Sequence, residues 1–285
     1  MGTGVIDART HLDKSAGPAL YMATVVAPQA DLRPAPTRDS STDTQLLHGW
    51  HMRIHARQGP WTYGAALNPI DGAHCDYVGW VRARALAARE IAPTHRVTAL
   101  RAPVFSRPDL KSPICQLLPF GARLQGQGEA VGNGGSYLRI GGARSGGFVS
   151  LRHLAPLGEA LVIDPTDVAE SFQGLPYIWG GNGPDGMDCS GLVKLAVEAT
   201  GRACPRDADQ QEVALGQAFP PDAELMNLRR SDLIFWPGHV GIMQTSGRLL
   251  HANAHHMRVA TEPLRDAVDR IGPIRTARRF QDLRL

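Results

Sequence analysis

Four side chains in this sequence could act as a thiol nucleophile: Cys75, Cys115, Cys189 and Cys204. Only Cys189 sits where a helix is expected to begin. It follows a Gly-rich stretch and opens the run Cys189-Ser190-Gly191-Leu192-Val193-Lys194-Leu195-Ala196-Val197-Glu198-Ala199. Backbone N–H groups at a helix start carry partial positive charge, which favours a thiolate and lowers the cysteine pKa. The same groups can hold an oxyanion beside the sulfur. Cys189 is therefore expected to alkylate faster than the other three cysteines, which are expected to be buried and inert.

A cysteine nucleophile needs a base, and the base needs an orienter. His239 precedes the apolar run Val240-Gly241-Ile242-Met243, and His251 follows Leu249-Leu250. Two antiparallel strands joined at Thr245-Ser246-Gly247 would set these imidazoles side by side, one accepting the thiol proton while the other fixes its tautomer. His255 and His256 compete for the orienter place, or are exposed turn residues. A metal site built from Cys189, His239 and His251 is a further reading, though it lacks the close ligand pair of common zinc motifs, and there is no CxxC pair.

The elements that must position these groups are legible in outline. Thr200-Gly201 stops the Cys189 helix, with Leu192, Val193, Ala196 and Val197 on its apolar face and Lys194 and Glu198 at i,i+4 outside. Asp164-Pro165 reads as the cap and first turn of an earlier helix within 163–172. Leu233-Ile234-Phe235-Trp236 and the two histidine-bearing runs read as buried strands. Helices followed by several strands make an α+β layout. The first half instead shows short β-prone runs between turns, and it repeats: Gln45-Leu46-Leu47-His48-Gly49 is answered by Leu117-Leu118-Pro119-Phe120-Gly121, 72 residues on. That period is too long for a solenoid and suggests two copies of a small β domain.

These residues resemble two known patterns. The first-half repeats, with Gly79-Trp80-Val81 and Gly147-Phe148-Val149 at their ends, resemble bacterial SH3-like domains. Tyr177-Ile178-Trp179-Gly180-Gly181, Asp188-Cys189-Ser190-Gly191-Leu192-Val193, Pro205 to Gln211, Asp232-Leu233-Ile234-Phe235, His239-Val240-Gly241-Ile242 and His251-Ala252 strongly resemble, in order, the NlpC-type papain-like cysteine peptidases of bacterial cell-wall metabolism. The resemblance implies two SH3-like barrels over 19–88 and 93–157 and a papain-like domain over 163–285. It implies Cys189 as nucleophile, His239 as base and His251 as orienter. Tyr177 would line the site and assist the oxyanion hole. Asp188 and Ser190 match residues that hold a free N-terminal L-Ala amine, and Asp188 also suits an N-cap. Arg206 would brace the site or meet a substrate carboxylate. Ser231 stands where the family usually has Gly, and Ala208 where some relatives have Ser.

The implied activity is a γ-D-glutamyl-L-diamino acid endopeptidase that cuts small murein peptides, L-Ala-γ-D-Glu-diamino acid, recovered from wall turnover. It would need neither metal nor organic cofactor. A β domain against one end of the cleft would restrict it to small peptides, with Trp61, Tyr63, Tyr77 and Trp80 as candidate wall residues. A papain-like amidase or acyltransferase, or a non-catalytic wall-peptide binder, are the other readings. Composition narrows the rest. With 43% hydrophobic and 20% charged residues the chain is globular, and a net charge of +3 gives no stripe for nucleic acid and no basic patch for a membrane. Met1 to Lys14 lacks the basic and apolar segments of a secretory leader, so a chain starting at Met1 is expected in the cytoplasm.

Overall fold

The computed structural model describes residues 7–13, 16–141, 146–222 and 224–281. Met1–Ile6 and Lys14 of the segment read above for a leader, and the last four residues of the expected 163–285 domain, lie outside them. The chain is rich in strands, carries four α-helices among its described residues, and divides into two units, Met1–Glu159 and Ala160–Leu285.

The N-terminal unit holds an antiparallel sheet of seven strands, running from Thr44–Leu47 at one edge through Gln29–Arg33, Cys75–Arg82, Trp61–Leu67, His51–Gln58 and Tyr21–Val25 to Leu86–Ala87. A five-stranded and a three-stranded sheet follow, wrapped around Val97, Val104, Leu118, Leu124, Leu138, Ile140 and Val149. The two glycines spaced 72 residues apart share one conformation: Gly49 has φ 80° and Gly121 φ 81°, each turning the chain after a strand. Trp61 and Tyr77 are spent inside this unit as buried core, while the half-buried Tyr63 and Trp80 meet with tilted rings, centroids 5.2 Å apart.

In the C-terminal unit, α1 (Pro165–Ser171) is capped by Asp164, whose side chain accepts from the Thr166 N–H at 2.9 Å. The second helix, α2 (Cys189–Ala199), covers the run expected from the sequence and is capped by Asp188. A capping box of Asp207 and Gln210 starts α3 (Ala208–Ala214). The sheet comprises β1 (Gln217–Phe219), β2 (Leu233–Trp236), β3 (His239–Thr245), β4 (Arg248–Asn253), β5 (Arg258–Pro263) and β6 (Thr276–Arg279), ordered β1-β6-β2-β3-β4-β5. A last helix, α4 (Leu264–Ile271), leaves directly from β5.

Two expectations are corrected. Lys194 and Glu198 are not on the outer face of α2, because that helix is buried all round. Lys194 Nζ instead donates to Glu198 Oε1 and to the Cys204 carbonyl, both at 2.7 Å, which compensates its charge inside the core. The cysteines also differ: Cys204 is buried, Cys75 is half-buried and Cys115 is exposed, on a strand whose outer residues face solvent. All four are free thiols.

Ser231 sits at φ 68°, a left-handed conformation that favours glycine. Its hydroxyl bonds Thr166 Oγ1 at 2.6 Å and the Asp164 carboxylate, so the turn before β2 is tied to the cap of α1. Arg230 adds ion pairs to Asp164, to Asp167 and to Glu170.

Candidate active site

Cys189 begins α2, and α2 packs on β3, the strand that His239 opens. The backbone N–H groups of Val240 and Ser190 point to the Cys189 sulfur and favour its thiolate. Burial nevertheless prevails: together with the neighbouring Asp188 charge it pushes the thiol up to about 12. The expected lowering of the Cys189 pKa is therefore corrected for the free site, because at 8% exposure the loss of hydration outweighs a few oriented dipoles.

The antiparallel β3–β4 pair places His239 Nε2 2.8 Å from His251 Nδ1. Gly241 makes this approach possible. A Cβ there would lie 2.7 Å from Leu249 Cδ1 and 3.2 Å from His251 Cβ, crowding the strand between the two rings. His255 is exposed, and His256 is half-buried against Asn253, its ring 6.5 Å from that of His251.

The relay continues past the residues picked out from the sequence. His251 Nε2 lies 2.7 Å from Glu262 Oε1 on β5. The register pairs His251 with Ala260, so Glu262 is its diagonal neighbour on the same face, within reach of a long side chain. Arg270 on α4 grips the carboxylate, Nη1 to Oε2 at 2.8 Å. Burial acts to raise the Glu262 pKa, but hydrogen bonds from Arg270 and His251 win and hold it at about 2. The signal for Glu262 was a lone acidic residue in the β-prone run Arg258-Val259-Ala260-Thr261-Glu262, which becomes informative once its strand neighbour is known.

The ionisation states fix the protons. Glu262 is a carboxylate and can only accept, so His251 Nε2 carries hydrogen. Burial lowers the pKa values of His251 and His239 to about 4, and both rings are neutral. His251 Nδ1 is then bare and accepts from His239 Nε2–H. His239 Nδ1 is left with its lone pair, on the ring edge remote from His251, free to accept a proton.

Asp188, Ser190 and Arg206 form one buried cluster. Arg206 is 1% exposed and donates to both Asp188 oxygens, at 3.0 and 2.7 Å, and to Ser190 Oγ at 2.8 Å. Asp188 also accepts from the N–H groups of Gly180 and Gly191, at 2.9 and 2.7 Å. Its carboxylate is thus already paired within the protein. Gly191 allows this closeness, since a Cβ there would lie 2.4 Å from the Gly181 carbonyl oxygen. Tyr177 is half-buried nearby. Burial, then the charges of Cys189 and Asp188, push its phenol up to about 12, which keeps it a hydrogen-bond donor. Trp179, two residues on, is 67% exposed.

A metal-like grouping shares only His251 with the set weighed from the sequence: ligand atoms of His251, His256 and Glu262 lie within 4.8 Å of one another. Both ring nitrogens of His251 are already engaged by His239 and Glu262, so a cation there would break the relay.

A base beside a thiol at a helix start is the engine of acyl transfer through a thioester. The model of the NlpC/P60 family matches residues 174–269, which span Tyr177, Cys189, His239, His251 and Glu262. These residues form an NlpC/P60 domain. The chain is accordingly a cysteine-type peptidase, a hydrolase. A gamma-D-glutamyl-L-lysine dipeptidyl-peptidase of Bacillus subtilis is 26% identical over 233 residues, covering 75% of this chain and 73% of the relative. A probable endopeptidase of Mycobacterium tuberculosis is 36% identical over 110 residues; the match covers 38% of this chain and only 26% of that protein. The crystal structure of an NlpC/P60 family protein from Bacillus cereus matches in fold, with TM-score 0.73 and 21% identity over 91% of this chain and 99% of that one. Among the described residues no helix is long and apolar enough to cross a membrane.

Proposed function

We propose that this NlpC/P60 peptidase is a γ-D-glutamyl-L-diamino acid endopeptidase acting on small murein peptides, with Cys189 as nucleophile, His239 as base and His251 as orienter. The observation that carries this reading is the unbroken chain from His239 through His251 to Glu262 beside Cys189. The substrate class rests on the Bacillus subtilis relative, whose similarity extends beyond the peptidase domain.

As Cys189 Sγ attacks the γ-glutamyl carbonyl carbon, its proton passes to His239 Nδ1. The positive charge that forms on His239 is stabilised through His251 by Glu262, and Tyr177 donates to the developing oxyanion together with backbone N–H groups at the start of α2. His239 then protonates the departing amine of the diamino acid. Water, deprotonated by the same ring, cleaves the thioester and releases L-Ala-γ-D-Glu. Because the resting thiol and imidazole are both neutral, transfer of the proton accompanies the attack.

Asp188 and Ser190 are the groups we assign to the free L-Ala ammonium, with Arg206 as their internal brace. Since Arg206 already neutralises Asp188, an N-acylated substrate leaves no orphaned carboxylate, and discrimination rests on the charge-assisted hydrogen bonds that only a free ammonium can donate to Asp188 and Ser190. In the same reading the N-terminal unit comprises two SH3-like modules, 19–88 and 93–157, ahead of a papain-like domain, 163–285. The enzyme works without a cofactor, in the cytoplasm, on peptides released by wall turnover. The test is product analysis by mass spectrometry from defined peptides. Cleavage of L-Ala-γ-D-Glu-meso-diaminopimelate or its L-Lys counterpart between Glu and the diamino acid supports the assignment. Hydrolysis of N-acetylmuramoyl-L-alanine instead marks an amidase.

A further inference from the structure

In the N-terminal unit the sheet borders a half-open cavity of about 540 Å3. Four arginines line it, Arg33, Arg38, Arg82 and Arg84, together with a single acidic residue, Asp31. Strand register explains the gathering. Gln29–Arg33 and Cys75–Arg82 are antiparallel neighbours, paired Arg33 to Trp80, so Arg82, two residues beyond Trp80, is the diagonal same-face neighbour of Arg33. Arg84 follows in the short 3-10 turn Ala83–Ala85. Arg82 also faces Trp61 across the sheet, and its guanidinium lies 4.0 Å from the centre of that ring, which holds the fork flat.

Asp31 is committed to Arg33 at 2.7 Å. Among the described residues Arg38, Arg82 and Arg84 have no carboxylate partner, which leaves three positive charges uncompensated around one cavity. Desolvation, and then the charges of Arg38, Arg84 and Arg33, pull the Arg82 pKa down, so these groups are close enough to repel one another. An anion in the cavity would reduce that repulsion. The arginines converge on a concave pocket rather than forming a stripe, which suits a small ligand better than a polymer.

We propose that this cavity binds a small anion carrying a diphosphate group. Guanidinium forks take phosphate oxygens in pairs, and a diphosphate at neutral pH carries about the charge the pocket lacks. The volume falls within the roughly 300–1,000 Å3 of small-molecule sites and exceeds what one phosphate fills.

The test is calorimetric titration of the full chain with inorganic pyrophosphate at roughly 0.15 M salt, where attraction between exposed charges is largely screened. The expected result is one site, binding pyrophosphate at least tenfold tighter than orthophosphate or citrate. The double variant Arg38→Ala/Arg84→Ala should weaken it at least tenfold and leave hydrolysis of γ-glutamyl peptides unchanged, since neither residue belongs to the catalytic site. Arg82→Lys, which keeps the charge and loses the fork, should fall in between. ADP and geranyl diphosphate then separate soluble from lipid sources of the group: whichever binds at least as tightly as pyrophosphate is the source. No binding of pyrophosphate, equal affinity for citrate, indifference to the double variant, or rejection of both ADP and geranyl diphosphate overturns the proposal.

Discussion

At the scale of single residues, the site is a line of proton positions set from its far end. Arg270 keeps Glu262 ionised, Glu262 fixes the hydrogen on His251, and His251 fixes the one on His239. Glu262→Gln keeps the shape but lets the amide donate to His251, which permits the wrong tautomer. Its kcat should fall by more than tenfold, short of the roughly 10²–10⁴-fold worth of general-base catalysis that His239→Ala should remove. His251→Asn should retain more activity than His251→Ala. An unchanged rate in Glu262→Gln would disconnect the carboxylate from catalysis. The acid limb of kcat/KM should lie near pH 4, where His239 gains its proton, and a limb near the ordinary 6.5 would contradict the buried neutral pair. Stability follows the same groups. Between pH 6.5 and about 4 the unfolded histidines bind protons that the folded ones refuse, so stability rises with pH across that window. Below 4.5 it declines further as Glu262, held at about 2, must be protonated. Melting curves from pH 3 to 7 check this, and His239→Asn/His251→Asn should flatten the upper part. Iodoacetamide should label exposed Cys115 ahead of buried Cys189, the reverse of what a helix-start thiolate alone implies.

At the scale of elements, α2 and the β3–β4–β5 ribbon deliver the reacting groups, and the ties beneath them are polar. Glu198→Ala leaves Lys194 charged and without its carboxylate in the core, a loss of about 3–5 kcal/mol, whereas Lys194→Met with Glu198→Leu should fold well. Ser231→Ala keeps the left-handed strain and loses two buried hydrogen bonds. It should destabilise by about 1–3 kcal/mol and by more than Ser231→Gly, which relieves the strain; denaturant titration gives the order. The α2 boundaries and the histidine hairpin were legible because a polar cap, an apolar period and a two-sided turn are local signals. Lys194 was misplaced because charge at i,i+4 looks the same on a solvated face as in a buried pair. Glu262 was missed because its meaning depends on a register set by β4, and Ser231 could be flagged from the family pattern but not explained without Asp164 and Thr166, more than sixty residues upstream.

At the scale of the whole molecule, the peptidase chemistry resides in Ala160–Leu285, while similarity to the Bacillus subtilis relative covers 75% of the chain. The proposed preference for a free N-terminal L-Ala belongs here. The ratio of kcat/KM for L-Ala-γ-D-Glu-meso-diaminopimelate to that for its N-acetylated form should exceed tenfold and shrink in Asp188→Asn; equal values would remove the recycling assignment and leave the peptidase. The most direct test of the central claim is intact-protein mass spectrometry of the enzyme quenched in acid during turnover of that peptide. The expected result is an L-Ala-γ-D-glutamyl thioester that maps to Cys189 and is absent, along with turnover, from a folded Cys189→Ala variant. Full turnover by Cys189→Ala, or an acyl group on another residue, would contradict it.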